Sequence, residues 1–177
     1  MIMNKMIKLP LFLGICGAAC AGILAGVYSF TNPIIVRNAE KVANAAIYST
    51  FANFGNEDTL VVETQDISND LIAVGVSSKK KVTGGSLTDG MVYKCETVQK
   101  GYAGKITFQL AFANGKILSY TDIANSETKE LIGRLSNGEI LAGSNAAGYS
   151  FEIVAGETYT SSALKSAIDV IVADYTK

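Results

Sequence analysis

Large apolar side chains occupy every second position from Ile106 to Phe112, and Thr107, Gln109 and Ala111 lie between them. This period of two predicts a strand with one buried face. Asn114-Gly115 follows, and this dipeptide is the preferred two-residue turn of a β-hairpin. Residues 116–123 are therefore predicted to form the returning strand of the hairpin.

Other periodic patterns predict the remaining elements. The predicted elements are a helix at 37–54, strands at 59–64 and 91–98, a helix at 127–135 that stops near Asn137-Gly138, and a closing amphipathic helix at 160–175. Residues 66–90 carry polar clusters, and the run Lys79-Lys80-Lys81 predicts a solvated hairpin or loop there. Strands in the middle and helices at both ends predict an α+β fold, an antiparallel sheet covered on one side by helices.

The chain begins with a long uncharged stretch. No charged residue lies between Lys8 and Arg37, and about 20 apolar residues are enough for a helix to cross a bilayer. Residues 9–32 are therefore predicted to form a transmembrane helix, with a break at Pro33. Because lysines precede the span, the positive-inside rule predicts a cytoplasmic N-terminus at residues 1–8.

The rest of the chain is then predicted to lie on the extracytoplasmic side of the cell membrane. It comprises a juxtamembrane helical segment at 33–54 and a small soluble domain at 55–177. Two alternatives to a retained span stay open. One is a cleaved signal peptide, whose apolar region usually has only ~7–15 residues. The other is a lipoprotein anchored through Cys20.

Small residues recur every fourth position along the predicted span, at Gly14, Ala18, Gly22 and Gly26. Such a stripe lets another helix approach closely, which predicts partners within the membrane. The alternative is that Gly and Ala are simply common in membrane helices.

Composition removes several kinds of chemistry. Histidine is absent, which excludes histidine-dependent triads, His-ligated zinc and His-ligated haem. Cys16 and Cys20 lie in the apolar stretch, and Cys95 alone cannot build a zinc cage or a disulfide framework. No metal site is predicted. The 15 basic and 16 acidic side chains nearly cancel, so nucleic acid is not an expected partner.

The segment before the closing helix is the candidate site. Gly156 permits a tight turn, and a helix that begins near Thr160 aims free N–H groups and the positive end of its dipole at the residues before it. This arrangement suits a phosphate group. The alternative is that Thr160 or Ser161 merely caps the helix, as Ser and Thr often do.

Four segments carry a resemblance to a known family. They are Glu152-Ile153-Val154-Ala155-Gly156-Glu157-Thr158 with the helix start that follows, Gly101-Tyr102-Ala103-Gly104-Lys105-Ile106, Ser126-Glu127-Thr128-Lys129-Glu130-Leu131, and Ser29-Phe30-Thr31-Asn32-Pro33-Ile34. In content and order they resemble the FMN-binding domain shared by the G subunit of the Rnf ion-translocating oxidoreductase and the C subunit of the sodium-pumping NADH:quinone reductase.

The resemblance implies a function and a set of site residues. In that family a threonine carries FMN through a phosphoester bond made by a flavin transferase, and the matching residue here is Thr158. The implied cofactor-binding residues are Thr158, Gly156, Glu157, Thr160, Ser161, Tyr102, Gly104, Glu127, Thr128 and Leu131. The implied role is an electron-transfer subunit in a redox-driven membrane ion pump of the ferredoxin:NAD oxidoreductase type, with other membrane subunits as partners. No catalytic acid or base is implied, because the flavin supplies the redox chemistry.

The attachment segment departs from the family pattern. Glu152 replaces an Asp, Ala155 a Ser or Thr, and Glu157 an Ala, while Lys129-Glu130 replace Pro-Gly in the middle segment. Glu157 adds a like charge beside a phosphodiester. Two further readings therefore stay open: a structural subunit of such a complex without flavin, and a stand-alone anchored binding module outside the cell.

Overall fold

A computed structural model describes the backbone of residues 3–127 and 129–177, and within these ranges the side chains of 13–35, 38, 40–127 and 130–177. The chain divides into two compact units, Met1–Ala45 and Ala46–Lys177. The first is helical, and the second contains a five-stranded antiparallel sheet with helices. The predicted α+β fold is thereby confirmed.

Helix α1 runs without interruption from Met3 to Ala43. Its segment Leu13–Ala43 has a mean hydropathy of 1.8 and is long and apolar enough to cross a membrane, a property that membrane anchors share with signal sequences. The predicted break at Pro33 is wrong, because the helix continues through it. A proline removes one N–H donor, and such a loss is tolerated in long apolar helices.

The predicted helix at 37–54 is helical over 37–43 and 45–50, but these residues belong to two helices. Helix α1 ends at Ala43, and a separate short helix α2 covers Ala45–Thr50. The hydroxyl groups of Ser49 and Thr50 both donate to the carbonyl of Ala46. Side chains that bond locally to the backbone in this way compete with helix propagation, and α2 gives way to a turn.

The sheet is a simple meander in which neighbouring strands follow one another along the chain. Its strands are β1 (Leu60–Thr64), β2 (Val76–Gly84), β3 (Leu87–Glu96), β4 (Thr107–Ala113) and β5 (Lys116–Ala124). The predicted hairpin is confirmed as β4 and β5. Asn114 and Gly115 at its turn have φ angles of 51° and 79°, the left-handed values that a type I′ turn requires.

The main core lies on the sheet face that the two C-terminal helices cover. These are α4 (Lys129–Ser136) and α5 (Thr158–Tyr175), and a short helix α3 (Asn69–Ala73) packs beside them. Both C-terminal helices were predicted, and α5 begins two residues earlier than predicted. Phe108, Leu110 and Phe112 from the alternating strand are fully buried in this core, which orients β4 against α5.

A second, smaller cluster covers part of the opposite face. Ile47 and Phe51 pack there with Val82, Val92 and Ala111. The prediction of a sheet covered on one side only is therefore wrong. Ala111 and Phe112 are adjacent in β4 but belong to different clusters, because successive side chains of a strand point to opposite faces.

The lysine run lies in strand β2, which pairs with β3 as a hairpin, so the predicted hairpin is confirmed, but the lysines are half-buried rather than solvated. Lys79 in β2 pairs with Tyr93 in β3, and its ammonium group contacts the Asp174 carboxylate at 2.6 Å. Tyr93 donates to the same carboxylate at 2.9 Å. Long lysine stems can lie along apolar surface while the charged end finds a partner. The hydrogen bonds and ion pair outweigh the effect of burial and lower the pKa of Asp174.

Candidate functional site

A buried carboxylate organises the candidate site. Glu127 is 7% exposed and lies just before α4. Its Oε2 accepts the N–H of Tyr102 at 2.9 Å, and its Oε1 accepts the N–H groups of Ala103 and Gly104 at 2.8 and 3.0 Å. Three consecutive N–H groups that converge on one carboxylate form an anion-binding concavity. The loop before β4 is thereby wrapped around the Glu127 side chain.

The same carboxylate also reaches the last helix. Thr160 is buried near the start of α5, and its hydroxyl donates to Glu127 Oε2 at 2.5 Å. We call this set the carboxylate clamp: the Glu127 carboxylate, the N–H groups of residues 102–104 and the Thr160 hydroxyl. The clamp ties together three segments that are distant in sequence.

The charge on Glu127 is stabilised by its partners. Burial raises the pKa of a carboxyl group, but the hydrogen bonds from Thr160 and from the backbone outweigh burial and lower the pKa of Glu127 below its ordinary value of 4.5. Glu127 is therefore ionised at neutral pH. It acts as an acceptor for all of its clamp partners.

The turn before α5 is held by a second set of hydrogen bonds. Ser161 is fully buried, and its hydroxyl accepts the N–H of Val154 at 3.1 Å and donates to the carbonyl of Glu157 at 2.8 Å. Gly156 lies inside this turn with φ of 88°, a left-handed conformation that favours glycine. The turn places Thr158 as the first residue of α5.

A cavity of about 260 Å³ lies where the loop before β4 meets the start of α5. Its lining residues are Tyr102, Gly156, Glu157, Thr158, Tyr159 and Thr160. The N–H groups of residues 158–160 have no acceptor among the residues that the structure describes. The exposed Thr158 hydroxyl likewise has no partner within the described ranges. A helix start with free N–H groups that open onto a cavity is suited to bind an anion.

One feature of the cavity opposes a bound anion. Glu157 occupies the N-cap position of α5, yet its side chain makes no capping hydrogen bond. Its Oε2 is enclosed and has no hydrogen-bond partner in the described part of the chain. A carboxylate oxygen in that situation favours a donor or a cation over a second negative charge.

The structure brings most of the sequence-predicted residues to the cavity or to the clamp. Tyr102, Gly156, Glu157, Thr158 and Thr160 line the cavity, while Glu127 and Gly104 meet in the clamp. The other three are placed as follows: Ser161 pins the turn, Leu131 is 1% exposed in the main core and does not line this cavity, and Thr128 lies outside the described residues.

Sequence reasoning missed two residues of the site. Ala103 takes part in the clamp only through its backbone N–H, so its side chain carries no signal. Tyr159 lines the cavity and could have been noticed as an aromatic residue directly after the candidate acceptor Thr158.

The comparison with protein families agrees with this geometry. Residues 101–173 match the family model of the FMN-binding domain. A search of the curated proteins gave no match. The matched range contains every candidate site residue, from Tyr102 to Ser161. It supports FMN as the cofactor and indicates a flavin-binding, electron-transfer role, whereas the narrower resemblance to the Rnf and quinone-reductase subunits stays a prediction.

The residues present fit the phosphate end of FMN better than the whole molecule. Free N–H groups at the start of α5 offer hydrogen bonds to phosphate oxygens, and Thr158 offers a hydroxyl to esterify. The cavity of about 260 Å³ is smaller than the ~300–1,000 Å³ typical of sites that enclose a small molecule. The flavin ring would therefore extend to the surface around the cavity.

The clamp predicts a pH-dependent stability. Glu127→Gln replaces an acceptor by a group with its own donors, and we expect a loss of about 2–3 kcal/mol in the free energy of unfolding at pH 7. Because the folded-state pKa of Glu127 is lowered, its stabilisation is complete above the unfolded value and is lost as pH falls through the folded value. Urea unfolding of the full chain in detergent, at pH 3 to 8, measures this loss.

The control is Glu130→Gln, which is exposed on α4. If the free energy of unfolding depended on pH in the same way in Glu127→Gln and in wild type, the clamp would be contradicted.

A matched pair of glycines tests the clamp independently. A Cβ atom on Gly101 would lie 2.5 Å from Glu127 Oε1, whereas one on Gly104 would meet no atom within 4 Å. Since Glu127 cannot move without breaking its hydrogen bonds, we expect Gly101→Ala to lower the free energy of unfolding by about 1–3 kcal/mol. Gly104→Ala should change it by no more than about 0.5 kcal/mol. Equal losses in the two variants, measured by urea unfolding, would show that the carboxylate is not held in place.

Proposed function

We propose that this chain is an electron-transfer subunit of a membrane-bound, ion-translocating oxidoreductase and carries FMN through a phosphoester bond at Thr158. The observation that carries the proposal is the position of Thr158. It is exposed, begins α5, and lines a cavity beside three N–H groups that lack an acceptor among the described residues. This cavity lies within the range that matches the FMN-binding domain.

The residues of the site have separable roles in this proposal. The Thr158 hydroxyl oxygen bonds to the phosphorus of an activated flavin donor with a phosphoanhydride, supplied through the flavin transferase. The P–O bond of the anhydride breaks, the other phosphate half leaves with the electron pair, and the hydroxyl proton is released, so that the chain gains FMN less one water. The N–H groups of residues 158–160 donate to the phosphate oxygens, and the positive end of the α5 dipole stabilises their charge. When bound, FMN supplies the electron-transfer chemistry.

The carboxylate clamp has a positioning role. It holds the loop of Tyr102 against the start of α5 through Glu127 and Thr160. Because the carboxylate satisfies three N–H groups of that loop, the loop keeps its shape without help from a ligand. The cavity is therefore formed before FMN binds, which reduces the ordering cost of binding.

Helix α1 supplies the membrane context of the proposal. Its apolar segment can cross a bilayer by length and composition, and lysines precede it. We place its N-terminus in the cytoplasm and the domain outside, with a flavin transferase acting on Thr158 during maturation. The small residues from Gly14 to Gly26 would pack against other subunits of the complex. Purification in mild detergent that yields this chain alone would instead favour a stand-alone anchored module.

Glu157 favours a second candidate function, a structural subunit without flavin. Its enclosed carboxylate oxygen has no hydrogen-bond partner among the described residues and lies at the same cavity as the acceptor Thr158. Like charges a few ångströms apart repel by about 1 kcal/mol in water and more in a less polar site. The two candidates differ in one observable, covalently bound flavin.

The attachment site is tested by co-expressing the full chain with a flavin transferase. We expect the intact mass to increase by one FMN less one water, and the denatured band to fluoresce on a gel. Thr158→Val should abolish both signals, because valine has the shape of threonine without the hydroxyl. Thr121→Val, an exposed threonine in β5, serves as the control. An unmodified wild-type mass in the presence of an active transferase would refute covalent attachment and favour the structural subunit.

Substitution of Glu157 is predicted to speed flavin attachment, whereas substitution of Thr158 is predicted to abolish it. Glu157→Ala removes the charge that opposes the phosphate, so we expect faster flavin attachment, by about two- to tenfold for a barrier lowered by about 0.4–1.4 kcal/mol. The rate is measured from the growth of in-gel flavin fluorescence with time. Glu152→Ala, an exposed glutamate that does not line the cavity, is the control. A slower reaction in Glu157→Ala would mean that the carboxylate assists attachment.

A further inference from the structure

Two tyrosines at the cavity are unusually exposed for large aromatic residues. Tyr102 is 77% and Tyr159 is 69% exposed, yet both line the cavity next to Thr158. Tyrosine presents a large apolar ring, and aromatic side chains at binding sites provide contact area at a low cost in conformational entropy. Two such rings at one cavity indicate a surface that a planar ligand can cover.

The backbones that carry these rings are fixed by the clamp. The N–H of Tyr102 is bound by Glu127, and Tyr159 directly precedes Thr160, whose hydroxyl binds the same carboxylate. Tyr159 is also part of α5. Neither backbone segment needs to rearrange for its ring to receive a ligand, and only the side chains have freedom to adjust.

The size of the cavity leaves the flavin ring outside it. The phosphate would lie at the start of α5, and about 260 Å³ is too little to enclose a flavin mononucleotide as well. A planar ring system tethered at Thr158, apolar at its dimethylbenzene end, would be exposed to water unless a neighbouring surface covers it. Tyr159, which follows the tether directly, and Tyr102 are the exposed aromatic side chains that line the cavity.

We propose that Tyr159 is a positioning residue that packs its ring against the isoalloxazine ring of the flavin, with Tyr102 as the second aromatic contact. The inference rests on the proposed function, because it takes the flavin at this cavity as the ligand. It goes beyond that function by assigning the residue that orients the flavin. Stacked aromatic pairs are favourable beyond the area that they bury, so the contact restrains a ring that the flexible ribityl chain leaves mobile.

The test compares Tyr159→Leu and Tyr159→Phe with wild type, each as the full chain co-expressed with a flavin transferase and purified in detergent. In-gel fluorescence of the denatured band measures flavin content. Visible circular dichroism of the native protein measures how rigidly the flavin is held, and the ratio of native to denatured fluorescence measures quenching by the tyrosine. Since Tyr159 is largely exposed, neither substitution is expected to unfold the domain.

Dichroism and quenching are compared per bound flavin, with the flavin content of each protein taken from its denatured band. Tyr159→Leu should lose most of the visible dichroism and quench the flavin less, while Tyr159→Phe should keep the dichroism because it keeps a ring. Unchanged dichroism and quenching in Tyr159→Leu, with normal flavin content, would overturn the inference and leave the proposed function intact.

A wild type without covalent flavin would refute covalent attachment at Thr158. Free FMN is then titrated, and Tyr159→Leu should raise its Kd about two- to tenfold; an equal Kd, or no binding to wild type, overturns the inference.

Discussion

The Glu127 carboxylate is the constraint on which the candidate site depends. A buried negative charge is stable only when donors surround it, and here the loop of residues 102–104 and the Thr160 hydroxyl supply them. This requirement fixes the path of the loop, the start of α5 and the distance between them. The cavity lined by Tyr102 and Thr158 follows from that geometry. The buried charge of Glu127 thus determines the shape of this cavity.

Features with a local cause could be predicted from the sequence. The hairpin of β4 and β5 follows from large apolar side chains at every second position and from a turn dipeptide that tolerates left-handed angles. Helix α5 follows from its apolar face, whereas Thr158 was singled out only through the family resemblance. For the hairpin and for α5 the decisive physics lies within a few neighbouring residues.

Features decided by distant partners could not be predicted. The sequence predicts that Lys79 is solvated, but Asp174 of α5, far along the chain, pairs with it. Pro33 is a helix breaker by local rules, yet α1 continues through it. The clamp could not be predicted from the sequence for a different reason. Most of its donors are backbone N–H groups, which every residue except proline possesses. Sequence identifies Glu127 only through resemblance, and the structure explains why a carboxylate is needed there.

The clamp joins residues that are far apart in sequence, and this has a consequence for biosynthesis. Glu127 binds an N–H group 25 positions before it and a hydroxyl 33 positions after it. Contacts of this sequence separation require the intervening chain to close into a loop. A nascent chain that stops short of Thr160 cannot assemble the cavity. A modifying enzyme that recognises the cavity would therefore act after translation on finished domains, and a flavin attached at Thr158 would mark the fraction of chains that had folded completely.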